Sequence, residues 1–294
     1  MAYREILWNV IPPTRLGEFS GRIKCPCETQ FWDVMDEFFP KGAGKVLVDV
    51  GCGPGIKALT FALNGFRVVG FDIREREIGH ARENARQTRA AHPDLRLDAE
   101  FFQHDLQHGL PQLTDSSMDV AVFVEVIEHL DAYRSVLREI QRVLKPGGSV
   151  IITTPNKHLH QHEKDADEAV YGEKAFGHVR EFDLNELAEE VEQAGLHVAH
   201  RGYLNPPKVK AYCTLIHPWM IRDHAFLQGR AGIQDVIGIR TLGKLQPLYN
   251  LCFPLITAII GAYNSLIFPR LYRATKPALD LPTGRTLLVI GTKP

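Results

Sequence analysis

From residue 45 to residue 203, short apolar runs rich in Val and Ile alternate with stretches whose apolar positions recur at helical spacing. The first pattern is typical of buried strands and the second of amphipathic helices. Strands that alternate with helices favour parallel βαβ units. We therefore predict an α/β fold with a doubly wound, mostly parallel sheet of seven strands, at Lys45–Val50, Arg67–Phe71, Asp98–Gln103, Met118–Val124, Ser149–Thr154, Leu196–Tyr203 and Arg285–Gly291.

The chain divides into three predicted parts. Residues 1–44 form an N-terminal helical lead-in, residues 45–204 with 285–294 form the α/β core, and residues 205–284 form a helical insertion before the last strand. Within the core, the same spacing predicts four helices, at Ile56–Asn64, Glu75–Arg89, Ile127–Leu144 and Leu184–Ala194.

Composition excludes several classes of protein. The 294 residues carry 34 Lys and Arg against 35 Asp and Glu, a formal charge of −1, and 45% are hydrophobic. These values exclude a disordered or collagen-like chain, and without a basic excess we do not expect nucleic acid as a partner. The five cysteines are odd in number and irregularly spaced, which favours reduced thiols and a cytoplasmic location. Because no apolar segment follows a basic start, we also expect no secretory signal.

The insertion 205–284 differs in charge from the rest of the chain. It contains nine basic and three acidic residues, a net charge of +6, which leaves −7 for the other residues. It also contains residues 245–269, the longest uncharged run, which prolines and polar residues interrupt. This combination favours peripheral contact with a membrane surface, a cap over a substrate, or, less well, a membrane span.

A glycine-rich turn follows the first predicted strand. Val46 to Gly55 reads Val-Leu-Val-Asp-Val-Gly-Cys-Gly-Pro-Gly, and Asp72 ends the next strand, 21 residues after Gly51. Glycines allow a ligand to approach the backbone closely, and an acid at this distance can accept both hydroxyls of a ribose. Because Ile56 replaces the third glycine of the dinucleotide pattern, the turn indicates an adenosine-type site of another kind.

This turn resembles the first motif of class I S-adenosylmethionine-dependent methyltransferases. Supporting motifs are Phe71-Asp72-Ile73, Gln103-His104-Asp105-Leu106, Phe123-Val124-Glu125 and Leu144-Lys-Pro-Gly-Gly148. The resemblance implies a Rossmann-like methyltransferase fold and S-adenosylmethionine as cofactor. It implies that Gly51 and Gly53 face the methionine part, that Asp72 holds the ribose, and that Asp105 binds the adenine amino group, although Asp105 could instead only cap a turn. The full implied cofactor set is Asp49, which orients the glycine turn, with Gly51, Gly53, Asp72, Ile73, Asp105, Leu106 and Val124.

A second group of polar residues, Glu125-Val-Ile-Glu128-His129, follows the fourth predicted strand. Residues at positions i, i+3 and i+4 can share one helical face, so two carboxylates and an imidazole could bind a divalent metal ion. Two alternatives remain open. The acids could simply favour a helix N-terminus, and His129 could act as a general base without metal.

The Glu-x-x-Glu-His pattern resembles the ubiquinone-biosynthesis O-methyltransferases and the small-RNA 3′-terminal 2′-O-methyltransferases. In the RNA family such residues bind a divalent metal, together with a histidine from a later loop. His178, 49 residues after His129, occupies the comparable place. The resemblance therefore implies Mg²⁺ or another divalent metal held by Glu125, Glu128, His129 and His178, with Glu128 and His129 as catalytic residues. The alternative is that His178 only orders Arg180 or Glu181.

These observations predict O-methylation of a lipophilic small molecule, such as a quinol, a catechol or a lipid-linked hydroxyl, reached from a membrane surface. Two other functions remain open: RNA 2′-O-methylation, and a non-catalytic, membrane-attached scaffold that binds the adenosyl group. Neither the acceptor atom nor the oligomeric state follows from the sequence.

Overall fold

The computed structural model describes residues 26–91, 93–94, 96–158, 178–204, 262–267, 269–270, 273 and 284–294. Residues 1–25 of the predicted lead-in and most of the insertion 205–284 therefore lie outside the described residues. Within the described part, no helix is both long enough and apolar enough to cross a membrane.

The sheet has the predicted seven strands: β1 (Val46–Val50), β2 (Arg67–Asp72), β3 (Ala99–Gln103), β4 (Met118–Val124), β5 (Leu144–Pro155), β6 (His197–Leu204) and β7 (Thr286–Thr292). Their order is β3-β2-β1-β4-β5-β7-β6. Strands β1 to β5 pair in parallel, whereas β7 runs antiparallel to both β5 and β6. The predicted α/β fold with a mostly parallel sheet is confirmed.

Among the residues that the structure describes, five α-helices cover the two faces of the sheet: α1 (Pro26–Phe38), α2 (Ile56–Leu63), α3 (Glu75–Ala91), α4 (Tyr133–Val143) and α5 (Leu184–Gln193). One hydrophobic core lies beneath α1, α2 and α3, and a second lies beneath α4 and α5. Successive residues of a strand point to opposite faces, so Leu47 belongs to the first core and Val48 to the second. Because both faces are covered, β1 is buried at four of its five positions.

The prediction of one helix over Ile127–Leu144 was wrong at both ends. Ile127–His129 forms a single 3₁₀ turn, Leu130 is extended, and α4 begins only at Tyr133. Leu144 instead begins β5, where it pairs with Met118 of β4. The apolar spacing is helical over this whole range, but pairing with β4 decides the conformation of Leu144.

The strand order places a crevice at the carboxyl ends of β1 and β4. Strands β2 and β3 continue the sheet on one side of β1, and β4 and β5 continue it on the other. In open α/β sheets, ligands bind where the order reverses in this way. The residues that follow β1, β2 and β4 include most of those that the sequence analysis assigned to the site.

Candidate active site

The glycine turn connects β1 to α2 in a conformation that other residues rarely adopt. Gly51, Gly53 and Gly55 have φ angles of +87°, +49° and +78°. A Cβ on Gly51 would lie 2.4 Å from the Val126 side chain, whereas a Cβ on Gly53 would meet no atom within 4 Å. Gly53 therefore faces open space, so a ligand can contact its backbone directly.

Asp72 fixes this turn from the end of β2. Its Oδ2 accepts a hydrogen bond of 2.9 Å from the Gly53 N–H, and its Oδ1 accepts one of 2.9 Å from the Arg74 N–H. Each carboxylate oxygen can accept a second hydrogen bond, so these contacts leave capacity for two ribose hydroxyls. The side chain is buried, with 7% of the residue exposed.

The residues that follow β2 and β3 extend this edge of the crevice. Ile73 is 55% exposed, which is unusual for a large apolar residue and suits contact with a flat base. Leu106 is buried, and Asp105 Oδ1 accepts a 3.0 Å hydrogen bond from the Gln107 N–H. Asp105 thus caps the turn Leu106–His108, as the alternative interpretation states, and its contact with adenine stays a prediction.

Asp49 lies beneath the turn and is almost inaccessible. Burial raises the pKa of its carboxyl group to about 7, although the Lys57 ammonium and a hydrogen bond from the Ala58 N–H act in the opposite direction. The hydrogen bond from Ala58 connects Asp49 to the first turn of α2, immediately after the glycines.

The two acids that follow β4 accept hydrogen bonds from adjacent threonines of β5. Glu125 has φ +55° and its Oε1 accepts a 2.8 Å hydrogen bond from Thr153, whereas Glu128 Oε2 accepts one of 3.1 Å from Thr154. Glu125 is in a left-handed conformation, and only Ile127–His129 forms a short 3₁₀ turn. The prediction that Glu125, Glu128 and His129 share one helical face was therefore wrong.

Glu125 lines the crevice, and Glu128 is enclosed. The Glu125 side chain reaches solvent, yet the surrounding protein atoms raise its pKa, as expected for a carboxylate at the base of a cleft. Glu128 is only 1% exposed, and burial, with the Glu125 charge as a smaller cause, raises its pKa well above the usual range. A cation next to Glu128 would favour its ionised form.

Glu128, His129 and His178 come together at the same edge. One ligand atom from each residue lies within 4.8 Å of those of the other two, and Glu125 is not in this group. The Val179 N–H donates a 2.9 Å hydrogen bond to the Glu128 carbonyl oxygen, and the two imidazole rings lie 4.8 Å apart. One carboxylate and two imidazoles form a donor set that fits a divalent metal ion.

Comparison with known proteins places the chain in a family. A model of the methyltransferase domain matches residues 27–201, more than half of the chain. The chain belongs to the methyltransferases. The match confirms the resemblance to the class I S-adenosylmethionine-dependent enzymes, and S-adenosylmethionine is the cofactor that this family uses.

Two relatives and one solved structure illustrate the similarity of this methyltransferase to known proteins. An S-adenosylmethionine-dependent methyltransferase of Mycolicibacterium smegmatis is 34% identical over 160 residues, 53% of each chain. The ubiquinone biosynthesis O-methyltransferase of Acinetobacter baylyi is 33% identical over 123 residues, 42% of this chain and 49% of the relative. This chain thus matches about half the length of each relative.

The solved structure is that of Haemonchus contortus phosphoethanolamine N-methyltransferase 2 in complex with S-adenosyl-L-methionine. It superposes on the methyltransferase with a TM-score of 0.55 at 17% identity, over 90% of this chain and 52% of that one. At this identity the likeness shows the fold alone.

Sequence reasoning missed the residues that hold the acids and the His178 loop. Thr153 and Thr154 gave no signal beyond their position at the end of a predicted strand. The Arg180 guanidinium lies 4.7 Å from the ring centroid of Tyr133, and the Tyr133 ring packs edge-on against Phe182. These aromatic contacts anchor the loop that carries His178 to the start of α4.

Proposed function

We propose that this methyltransferase transfers the methyl group of S-adenosylmethionine to a hydroxyl oxygen of a lipophilic small molecule, such as a quinol, a catechol or a lipid-linked hydroxyl. The group of Glu128, His129 and His178 beside the cofactor crevice carries this proposal. The local identity with a ubiquinone biosynthesis O-methyltransferase supports oxygen as the acceptor atom.

The three side chains are suited to prepare a hydroxyl for methylation. Glu128, His129 and His178 would hold Mg²⁺ or another divalent ion, which, when bound, lowers the pKa of a coordinated hydroxyl. Without an ion, the exposed His129 imidazole accepts the hydroxyl proton, and the Glu128 carboxylate, whose Oε1 lies 3.8 Å from His129 Nε2, stabilises the imidazolium.

Transfer itself requires little further chemistry from the protein. The sulfonium already activates the methyl group, so the acceptor oxygen forms the new O–C bond as the C–S bond breaks, and S-adenosylhomocysteine leaves with a neutral sulfur. The role of the protein is to hold the oxygen in line with that bond.

The described part of the insertion supports contact with a membrane surface. Leu266 and Ile267 are 64% and 56% exposed, and Arg270 and Arg273, a few residues later in the chain, are exposed as well. Apolar residues beside arginines suit an anionic lipid surface. The double variant Leu266→Ser/Ile267→Ser should bind phosphatidylserine vesicles more weakly than the wild-type protein does. Equal flotation of the two proteins would contradict membrane contact through this segment.

Methyl transfer into a cell extract tests the proposed function. Full-length protein, labelled S-adenosylmethionine and Mg²⁺ are incubated with a lipid-containing extract, which is then partitioned between organic solvent and water. We expect label in the organic phase, and none with His178→Ala; the control His197→Ala alters an exposed histidine at the opposite end of the strands. Label confined to the aqueous phase would contradict a lipophilic acceptor, and nuclease-sensitive label there would indicate RNA.

A further inference from the structure

Lys57 lies at the N-terminus of α2, which is an unfavourable position for a positive charge. It is the second residue of α2 and is exposed, and the first turn of this helix contains no acidic residue. The N-terminus of a helix carries partial positive charge, so a lysine there is unfavourable for the helix itself. The local structure of α2 therefore gives no reason for a positive charge at this position.

Lys57 lies beside the glycine turn of the crevice. It follows Gly55 by two residues, in the first turn of the helix into which the glycine turn leads. Its Nζ lies 6.0 Å from the ring centroid of Phe31 on α1. The Lys57 charge also lowers the pKa of both Asp49 and Glu125, the acids at the ends of β1 and β4.

The charges along the crevice correspond to the charges of the cofactor. S-adenosylmethionine carries two positive groups, the sulfonium and the ammonium, and one negative group, the carboxylate. Glu125, which is exposed at the end of β4, supplies a carboxylate at this end of the crevice. None of the eight residues first assigned to the cofactor is basic. Arg74 is directed elsewhere, since its Nε lies 3.7 Å from the Asp72 carboxylate at the ribose end.

We propose that Lys57 binds the carboxylate of the methionine part of the cofactor. Its ammonium donates a charge-assisted hydrogen bond to that carboxylate, while Glu125 faces the cationic groups. The unfavourable position of Lys57 on α2 then has a functional reason. This inference rests on the cofactor assignment but not on the nature of the methyl acceptor.

A binding experiment that removes each partner in turn tests this role. S-adenosylmethionine and its decarboxylated form, which lacks only the carboxylate, are titrated by calorimetry into full-length wild-type and Lys57→Met protein. We expect the wild-type protein to bind S-adenosylmethionine about 10- to 100-fold more tightly than the decarboxylated form. Lys57→Met should lose this preference and bind the decarboxylated form no more weakly than the wild-type protein does.

Two control variants keep the result specific. Lys45→Met removes an exposed lysine that precedes β1, at the opposite end of the strands, and should leave the preference unchanged. Lys57→Arg keeps the charge and should retain most of the preference. A Lys57→Met protein that still prefers the carboxylated ligand, or that loses both ligands equally, would overturn the proposal. A wild-type protein that binds neither ligand would overturn the cofactor assignment as well.

Discussion

The two halves of the crevice are built in different ways. Most of the cofactor half comes from one continuous stretch, residues 49–74, in which backbone conformation and a single carboxylate, Asp72, fix the geometry, and Asp105, Leu106 and Val124 complete it from later strands. The acceptor half comes from three separate segments: the turn after β4, the end of β5, and the loop that carries His178. The first half is therefore defined by local sequence, whereas the second depends on tertiary contacts, and the two should respond separately to mutation.

The largest expected effect is in the acceptor half. His178→Ala should lower kcat by about 100-fold or more, because a ligand or proton-handling group is lost. The Kd for S-adenosylhomocysteine should stay within about twofold of the wild-type value, because His178 lies outside residues 49–74. Steady-state kinetics and calorimetry check the two values, with His197→Ala as the control. An unchanged kcat would show that the acceptor half lies elsewhere.

The reverse pattern is expected for Asp72→Asn. The amide nitrogen cannot accept from the Gly53 and Arg74 N–H groups or from a ribose hydroxyl, so binding of S-adenosylhomocysteine should weaken by about 100-fold. Binding of a divalent cation to the acceptor half should not change. Calorimetry with each ligand measures both, and Asp98→Asn, at an acid just before β3, is the control. Equal loss of both ligands would mean that the halves are not independent.

A smaller effect is expected for alanine variants at two glycines, of which only one lies at the cofactor crevice. Gly53 and Gly44 both have positive φ, and a Cβ on either would meet no atom within 4 Å. Alanine at either position should therefore lower the free energy of unfolding by about 1–2 kcal/mol. Only Gly53→Ala should also weaken the binding of S-adenosylhomocysteine, since only Gly53 faces the crevice. Thermal unfolding measures the stability of both variants, and calorimetry measures their binding of S-adenosylhomocysteine. Equal binding by Gly53→Ala and Gly44→Ala would contradict this account.

The smallest expected effect is the difference in stability between variants of the two threonines of β5. Thr154→Val leaves an oxygen of the enclosed Glu128 carboxylate without its partner and should lower the free energy of unfolding by about 1–3 kcal/mol. Thr153→Val should lower it by less, because water can replace the lost hydroxyl at the accessible Glu125. Denaturant unfolding of the two variants measures the difference, and a larger loss for Thr153→Val would be the contrary result.

Much of the cofactor half could be predicted from the sequence because its signals are local. A buried strand, a glycine turn and an acid 21 residues after Gly51 fix a geometry that hardly depends on distant contacts. The seven strands were predictable for a similar reason, since each strand carries its own apolar run.

The acceptor half was less predictable because its partners are distant in sequence. The spacing of Glu125 and Glu128 suggested a shared helical face, but the left-handed conformation of Glu125 prevents a helix there, and the two acids bond to different threonines. His178 entered the prediction only through resemblance to known enzymes. Its position beside His129 depends on the bond from Val179 to Glu128 and on the packing of Arg180 against Tyr133.

Titration of a divalent cation into the full-length protein tests the assignment of the acceptor half most directly. Calorimetry with Mg²⁺, and separately with Mn²⁺, should show one ion bound per chain in the wild-type protein, in Asp72→Asn and in His197→Ala. Binding should be lost in His178→Ala. If no ion bound to the wild-type protein, or if binding survived His178→Ala, the assignment of Glu128, His129 and His178 as a metal site would be contradicted.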